Sequence, residues 1–106
     1  MNDKANPGLV VFDMPQFDRF QATQAPKLLE VVSPPYLVAT RMGYAPMLDV
    51  ELPGGVRYTL LISSASLTAG LEKLRVANRG QLNNIRFWIS RESPDPKSKY
   101  MILPAT

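Results

Sequence analysis

The sequence predicts a mainly β protein: a five-stranded barrel with one helix between its third and fourth strands, preceded by an N-terminal arm. Three observations predict it. Five β-patterned runs lie between Tyr36 and Leu103, and a single amphipathic stretch, Ser66–Ala77, separates the third from the fourth. Gly54 and Gly55 stand together at the second turn. Five of the ten prolines (Pro7, Pro15, Pro26, Pro34 and Pro35) fall in residues 1–35, where they prevent long regular elements.

The arm, residues 1–35, is expected to be partly ordered, with its first few residues loose. Within it, Gly8–Phe12 and Lys27–Val32 are candidate short strands. Phe17 and Phe20, three apart, are candidates to pack against the barrel, which spans residues 36–106. The arm either covers the barrel or reaches a neighbouring subunit, which would make a homo-oligomer.

The barrel strands follow in order. Tyr36–Gly43 is β-rich, and Gly43 accommodates a bend or bulge. Met47–Leu52 alternates, with Leu48, Val50 and Leu52 on the core face and Met47, Asp49 and Glu51 opposite. Pro53-Gly54-Gly55 makes a tight hairpin, because glycine accepts positive φ. In Val56–Ser63, Arg57, Thr59 and Leu61 form the exterior set. Ser63, Ser64 and Ser66 then supply capping oxygens for the helix. Without the glycines and lysine of a phosphate loop, capping is the reading of those serines rather than anion binding.

Leu67, Leu71 and Leu74 recur at i, i+4 and i+7, one apolar stripe facing the core. Gly70 costs the helix about 1 kcal/mol relative to alanine, and close packing on the barrel would compensate. Gly80 is a candidate left-handed cap. In Ile85–Arg91, Ile85, Phe87 and Ile89 face inward and Arg86, Trp88 and Ser90 outward. Ser93–Pro96 forms a rigid loop before the last strand, Lys99–Leu103.

Composition bounds the function. At 106 residues, 45% hydrophobic and 20% charged, the chain is one ordinary globular domain. No apolar run reaches the roughly 18–20 residues of a membrane span. Met1-Asn2-Asp3-Lys4 lacks a secretory pattern, so a soluble cytoplasmic protein is expected. The chain has no cysteine and no histidine. Disulfides, thiolate metal sites, the serine–histidine relay and the commonest general base are all excluded. No catalytic motif is present, and neither a metal nor a cofactor is expected. Asp49 and Glu51 alone are too few to hold a metal, and they read as exposed acids.

Net charge is +3, unevenly placed: residues 1–53 carry −2 and residues 54–106 carry +5. A basic half points to a polyanion or to a plain solvated surface. Candidate contacts are Trp88 for base stacking with Arg86 beside it, Arg57 on the third strand, and Arg41 and Tyr44 at the first turn. Arg91, Lys97 and Lys99 would flank the last loop. Each has a plainer reading. Trp88 would be buried by the arm or by another subunit. Tyr44 would be a satisfied turn residue, and the lysines would guard an edge.

This element order is that of the OB-fold, and the chain resembles the small single-domain OB-fold proteins that bind single-stranded DNA. The resemblance covers residues 36–103 and rests on the order of elements with Trp88, Arg86, Arg57, Tyr44 and the Lys97/Lys99 loop. It implies sequence-tolerant, salt-dependent binding of single-stranded DNA or RNA in a groove. Asp49 and Glu51 depart from it, since carboxylates repel phosphate. The alternatives are a protein–protein interaction or assembly module on the same barrel, and an enzyme or small-molecule carrier.

Overall fold

The computed structural model of the chain describes residues 10–105. The N-terminal Met1–Lys4 reading, and Gly8 and Leu9 of the first candidate strand, lie outside the described residues. The elements are β1 (Val11–Phe12), β2 (Lys27–Val31), β3 (Tyr36–Thr40), β4 (Gly43–Glu51), β5 (Arg57–Leu61), α1 (Ala65–Ala77), β6 (Arg86–Arg91) and β7 (Tyr100–Pro104). All seven strands belong to one sheet, in the order β1-β3-β4-β2-β6-β7, with β5 on the remaining edge of β4.

β2 and β3 share one edge of β4. Val31 pairs with Val50 and Tyr36 with Met47, while β5 takes the opposite edge from Met47 to Glu51. Five positions separate Val31 from Tyr36, against three between their partners. The excess is absorbed at Ser33-Pro34-Pro35, where proline cannot donate to the ladder. The ladder still holds on either side: the Val32 amide donates to the Asp49 carbonyl (2.9 Å) and the Asp49 amide to Ser33 Oγ (3.0 Å). β2 and β3 are thus two halves of one bent strand.

The division at residue 35 falls within this bent strand. Lys27–Val31 lies at the centre of the sheet, between β4 and β6, and Leu29 and Val31 are fully buried. The prolines kink a core strand there rather than delimit an arm.

Helix α1 starts at the N-cap Ser64, whose Oγ accepts from the Leu67 amide (3.1 Å), and buries Leu67, Leu71 and Leu74. A Cβ at Gly70 would stand 2.6 Å from Ile102 Cγ1, so the glycine lets α1 lie directly against β7. Gly80 has φ +84°, and its amide donates to the Arg75 carbonyl beyond the helix end.

The sheet does not close, and it has seven strands rather than five. β5 and β7 do not pair. β7 is covered by α1, with the Tyr100 amide donating to Ser66 Oγ (3.0 Å). The free edge of β5 is taken by Asp18–Phe20: the Thr59 amide donates to the Asp18 carbonyl (2.8 Å) and the Phe20 amide to the Thr59 carbonyl (2.9 Å).

Two apolar clusters result. The larger packs Leu29, Val31, Leu48, Val50, Leu60, Phe87 and Ile89 against the α1 stripe. Full burial of each such side chain contributes about 1.5–3 kcal/mol. The smaller, Tyr36, Val38 and Met47, lies on the other face of β3 and β4, with Phe12 against it. It exists because residues 11–20 cross that face.

Candidate nucleic-acid interface

β6 alternates as its sequence requires, with Phe87 and Ile89 fully buried and Arg86 and Trp88 outward. Trp88 is 41% exposed. Its cross-strand neighbours are Leu28 on β2 and Leu103 on β7, while Met101 opposes Ser90 one row further along. Met101 and Leu103 are exposed as well, so the indole stands in an apolar strip with Arg86 at one end.

A second row crosses the same outer face. Arg57, Glu51, Glu30 and Arg86 occupy consecutive strands in direct register. Arg57 reaches Glu51 at 3.6 Å across the hairpin. Two shallow depressions follow this row. The first lies under the Pro53–Gly55 turn, and the second lies beside Trp88, Pro104 and Ala105; Leu28 and Arg86 line both. The turn is set by sequence: Pro53 precedes Gly54 at φ +101°, and the Gly55 amide donates to the Leu52 carbonyl.

Arg91 is engaged within its own loop. Its guanidinium donates to the carbonyls of Pro96 (3.0 Å) and Ser98 (2.9 Å) and to Tyr100 Oη (2.8 Å), and stands 4.2 Å from the Tyr100 ring centroid. It shapes the 92–99 loop rather than offering a free cation. Lys97 and Lys99 of that loop are exposed and in no ion pair among the described residues.

Arg41 and Tyr44 sit at the tip of the β3–β4 hairpin, both exposed. Seven residues of β4 separate Tyr44 from Glu51, about 23 Å at strand rise. The hairpin tip and the Arg57–Trp88 face are therefore separate regions.

The outer face of β4 and β5 that carries Arg57 and Glu51 is closed further along, at Asp49 and Thr59. Residues 13–17 run over it from the edge of β3, which β1 joins, to the edge of β5. Asp49 is 2% exposed and Thr59 fully buried, so neither is an exterior residue. The Asp49 carboxylate accepts from Tyr36 Oη (2.6 Å), Thr59 Oγ1 (2.8 Å) and Gln16 Nε2 (2.8 Å). Its charge is met by three neutral donors and, among the described residues, by no cation. Burial, and then the bond to Asp49, hold the Tyr36 hydroxyl above its ordinary pKa. The sequence placed Asp49 correctly on the side opposite Leu48 and Val50, but that side is covered by a second layer.

Phe20 packs against Tyr58 (5.9 Å between centroids) and the main core, while Phe17 remains 39% exposed. The residues that sequence reasoning missed are Leu28, Glu30, Met101 and Leu103. The alternation of Leu28 and Glu30 against Leu29 and Val31 carried the signal for β2. No helix among the described residues is long and apolar enough to cross a membrane, and no group of three or more acidic side chains among them is placed to hold a metal. Comparison with known proteins finds no family model, no curated protein and no solved structure that matches this chain.

Proposed function

We propose that the chain is a non-catalytic, OB-like module of the cytoplasm that binds single-stranded DNA or RNA on the outer face of β2, β6 and β7. The OB-like reading is supported by topology. With β2 and β3 counted as one bent strand, the order is β5-β4-β2/β3-β6-β7, with the helix between the third and fourth of these in sequence. The barrel is incomplete at one seam, where Asp18–Phe20 and α1 take the two edges.

One observation carries the binding reading: Trp88 is exposed on β6, a strand paired on both edges, with Arg86 two residues away on the same face. An indole stacks any base, for about 1–3 kcal/mol per base, and an adjacent guanidinium neutralises the linking phosphate. Arg57 stands at the far end of the row, and Lys97 and Lys99 add charge without a fixed partner. Trp88→Ala is expected to weaken oligonucleotide binding about 10-fold or more with folding intact. Unchanged affinity in a folded Trp88→Ala variant refutes the reading.

A second reading is favoured by Met101 and Leu103. Their exposed side chains continue the Trp88 strip without any charge, and such a patch also suits a protein partner. The arm's outward Val11 and Met14 add to the apolar surface that a second subunit would cover. Light scattering separates the two readings: a stable dimer that buries Trp88 supports assembly.

A further inference from the structure

We propose that the depression beneath the Pro53–Gly55 turn is a base pocket that selects guanine by its donor edge. The inference rests on the nucleic-acid reading of the Trp88 face and gives it a sequence preference at one position.

Glu30 and Glu51 are directly opposed across the β2–β4 pair and both line this depression of about 340 Å³. Like charges in direct cross-strand register destabilise a sheet. Here the opposition stands at the centre of the row, with one arginine at each end. Arg57 holds only Glu51, at 3.6 Å, and Glu30 forms no ion pair among the described residues although Arg86 is its register partner. A phosphate entering between the carboxylates would be repelled. What they accept is a hydrogen-bond donor.

The walls suit a flat, partly apolar ring. Leu28 and Leu52 supply apolar surface, and the turn supplies backbone. A Cβ at Gly55 would stand 3.6 Å from Glu51 Oε2, so glycine there leaves the carboxylate uncovered. Leu28 and Arg86 also line the depression beside Trp88. A base stacked on Trp88 and a base in the pocket are then neighbours, with Arg86 between them for the connecting phosphate. Arg86 and Trp88 are two residues apart, about 7 Å along the strand.

Base chemistry decides the preference. Guanine presents two adjacent donors, its ring N–H and its amino group, which a carboxylate accepts in bidentate fashion. Thymine and uracil present one N–H between two carbonyls, which the carboxylates repel. Cytosine and adenine present one amino group beside an acceptor nitrogen. Guanine therefore fits best and thymine worst.

The test compares two single strands of equal length, one all-thymine and one with guanine at every third position, by fluorescence anisotropy. The guanine strand is expected to bind about 5- to 150-fold tighter, the discrimination of one good bidentate contact. The Glu30→Gln/Glu51→Gln variant is expected to lose that preference while binding the thymine strand at least as well as wild type. Equal affinity of wild type for both strands overturns the proposal and leaves the nucleic-acid reading standing. A preference that survives in the folded double variant overturns it too. If the variant does not fold, the wild-type comparison alone decides. Absence of binding to either strand at low salt overturns the underlying reading and the pocket with it.

Discussion

Tyr36 Oη donates to the Asp49 carboxylate across 2.6 Å, and the segment that buries this pair comes from outside the barrel predicted by sequence. Gln16 completes the carboxylate's set of donors. The network ties β3, β4, β5 and the crossing segment into one unit, and it occupies part of the face that the sequence assigned to ligand. Asp49→Ala removes the acceptor shared by the Tyr36 and Thr59 hydroxyls and the Gln16 amide. It is expected to lower stability by about 1–3 kcal/mol in urea unfolding, because a buried donor is left without a partner. A variant as stable as wild type would mean that the network contributes little.

The same pair sets a pH dependence. Tyr36 is held above the ordinary tyrosine value of 10.0, first by burial and then by Asp49. The folded state thus favours the neutral phenol. That contribution to stability is fully present below pH 10.0 and is lost as pH rises through the folded-state pKa. Ultraviolet titration is expected to show a tyrosine ionising above the ordinary value, and that late step should vanish in Tyr36→Phe.

Gly70 and Ile102 set the distance between α1 and β7. Gly70→Ala gains about 1 kcal/mol of helix propensity but places a methyl group 2.6 Å from Ile102 Cγ1. Overpacking of this kind costs about 1–3 kcal/mol, so a net loss in thermal stability is expected. Combining the substitution with Ile102→Ala should recover part of the loss beyond the sum of the single changes, since the two residues touch.

Arg86 and Arg91 are both cations of β6, yet they should separate experimentally. Arg91→Ala removes two hydrogen bonds to carbonyls of the 92–99 loop and one to Tyr100 Oη, and is expected to raise proteolytic cleavage in the loop, with a small effect on nucleic-acid affinity. Arg86→Ala is expected to weaken binding and reduce its salt dependence by about one charge, with stability unchanged. Equal binding losses would place the 92–99 loop in the interface.

These contrasts mark what the sequence could reveal. The alternations of Leu48/Val50 and Phe87/Ile89, the Leu67/Leu71/Leu74 stripe and the Pro53–Gly55 turn are local, and each was legible. So was the outward direction of Trp88 once Phe87 was placed in the core. β2 was legible as a short strand at Lys27–Val32, but its central place in the sheet was obscured, because Pro26, Pro34 and Pro35 bracket it and its partners, β4 and β6, lie far along the chain. The crossing segment was obscured for a related reason. Its seat on Thr59 is made by backbone groups of Asp18 and Phe20, which leave no pattern in side chains. Period-two alternation assigns Asp49 to a face but cannot tell whether that face is wet or roofed. Arg91 read as a free cation because its partners are main-chain carbonyls of its own loop.

The most direct test is a titration of the protein with a labelled single strand of about 20–30 nucleotides, followed by anisotropy and Trp88 fluorescence at low and near-physiological salt. Salt-sensitive binding, quenching of the single tryptophan and much weaker binding to duplex are expected. Absence of binding even at low salt, or binding that leaves Trp88 fluorescence unchanged, would contradict the nucleic-acid reading.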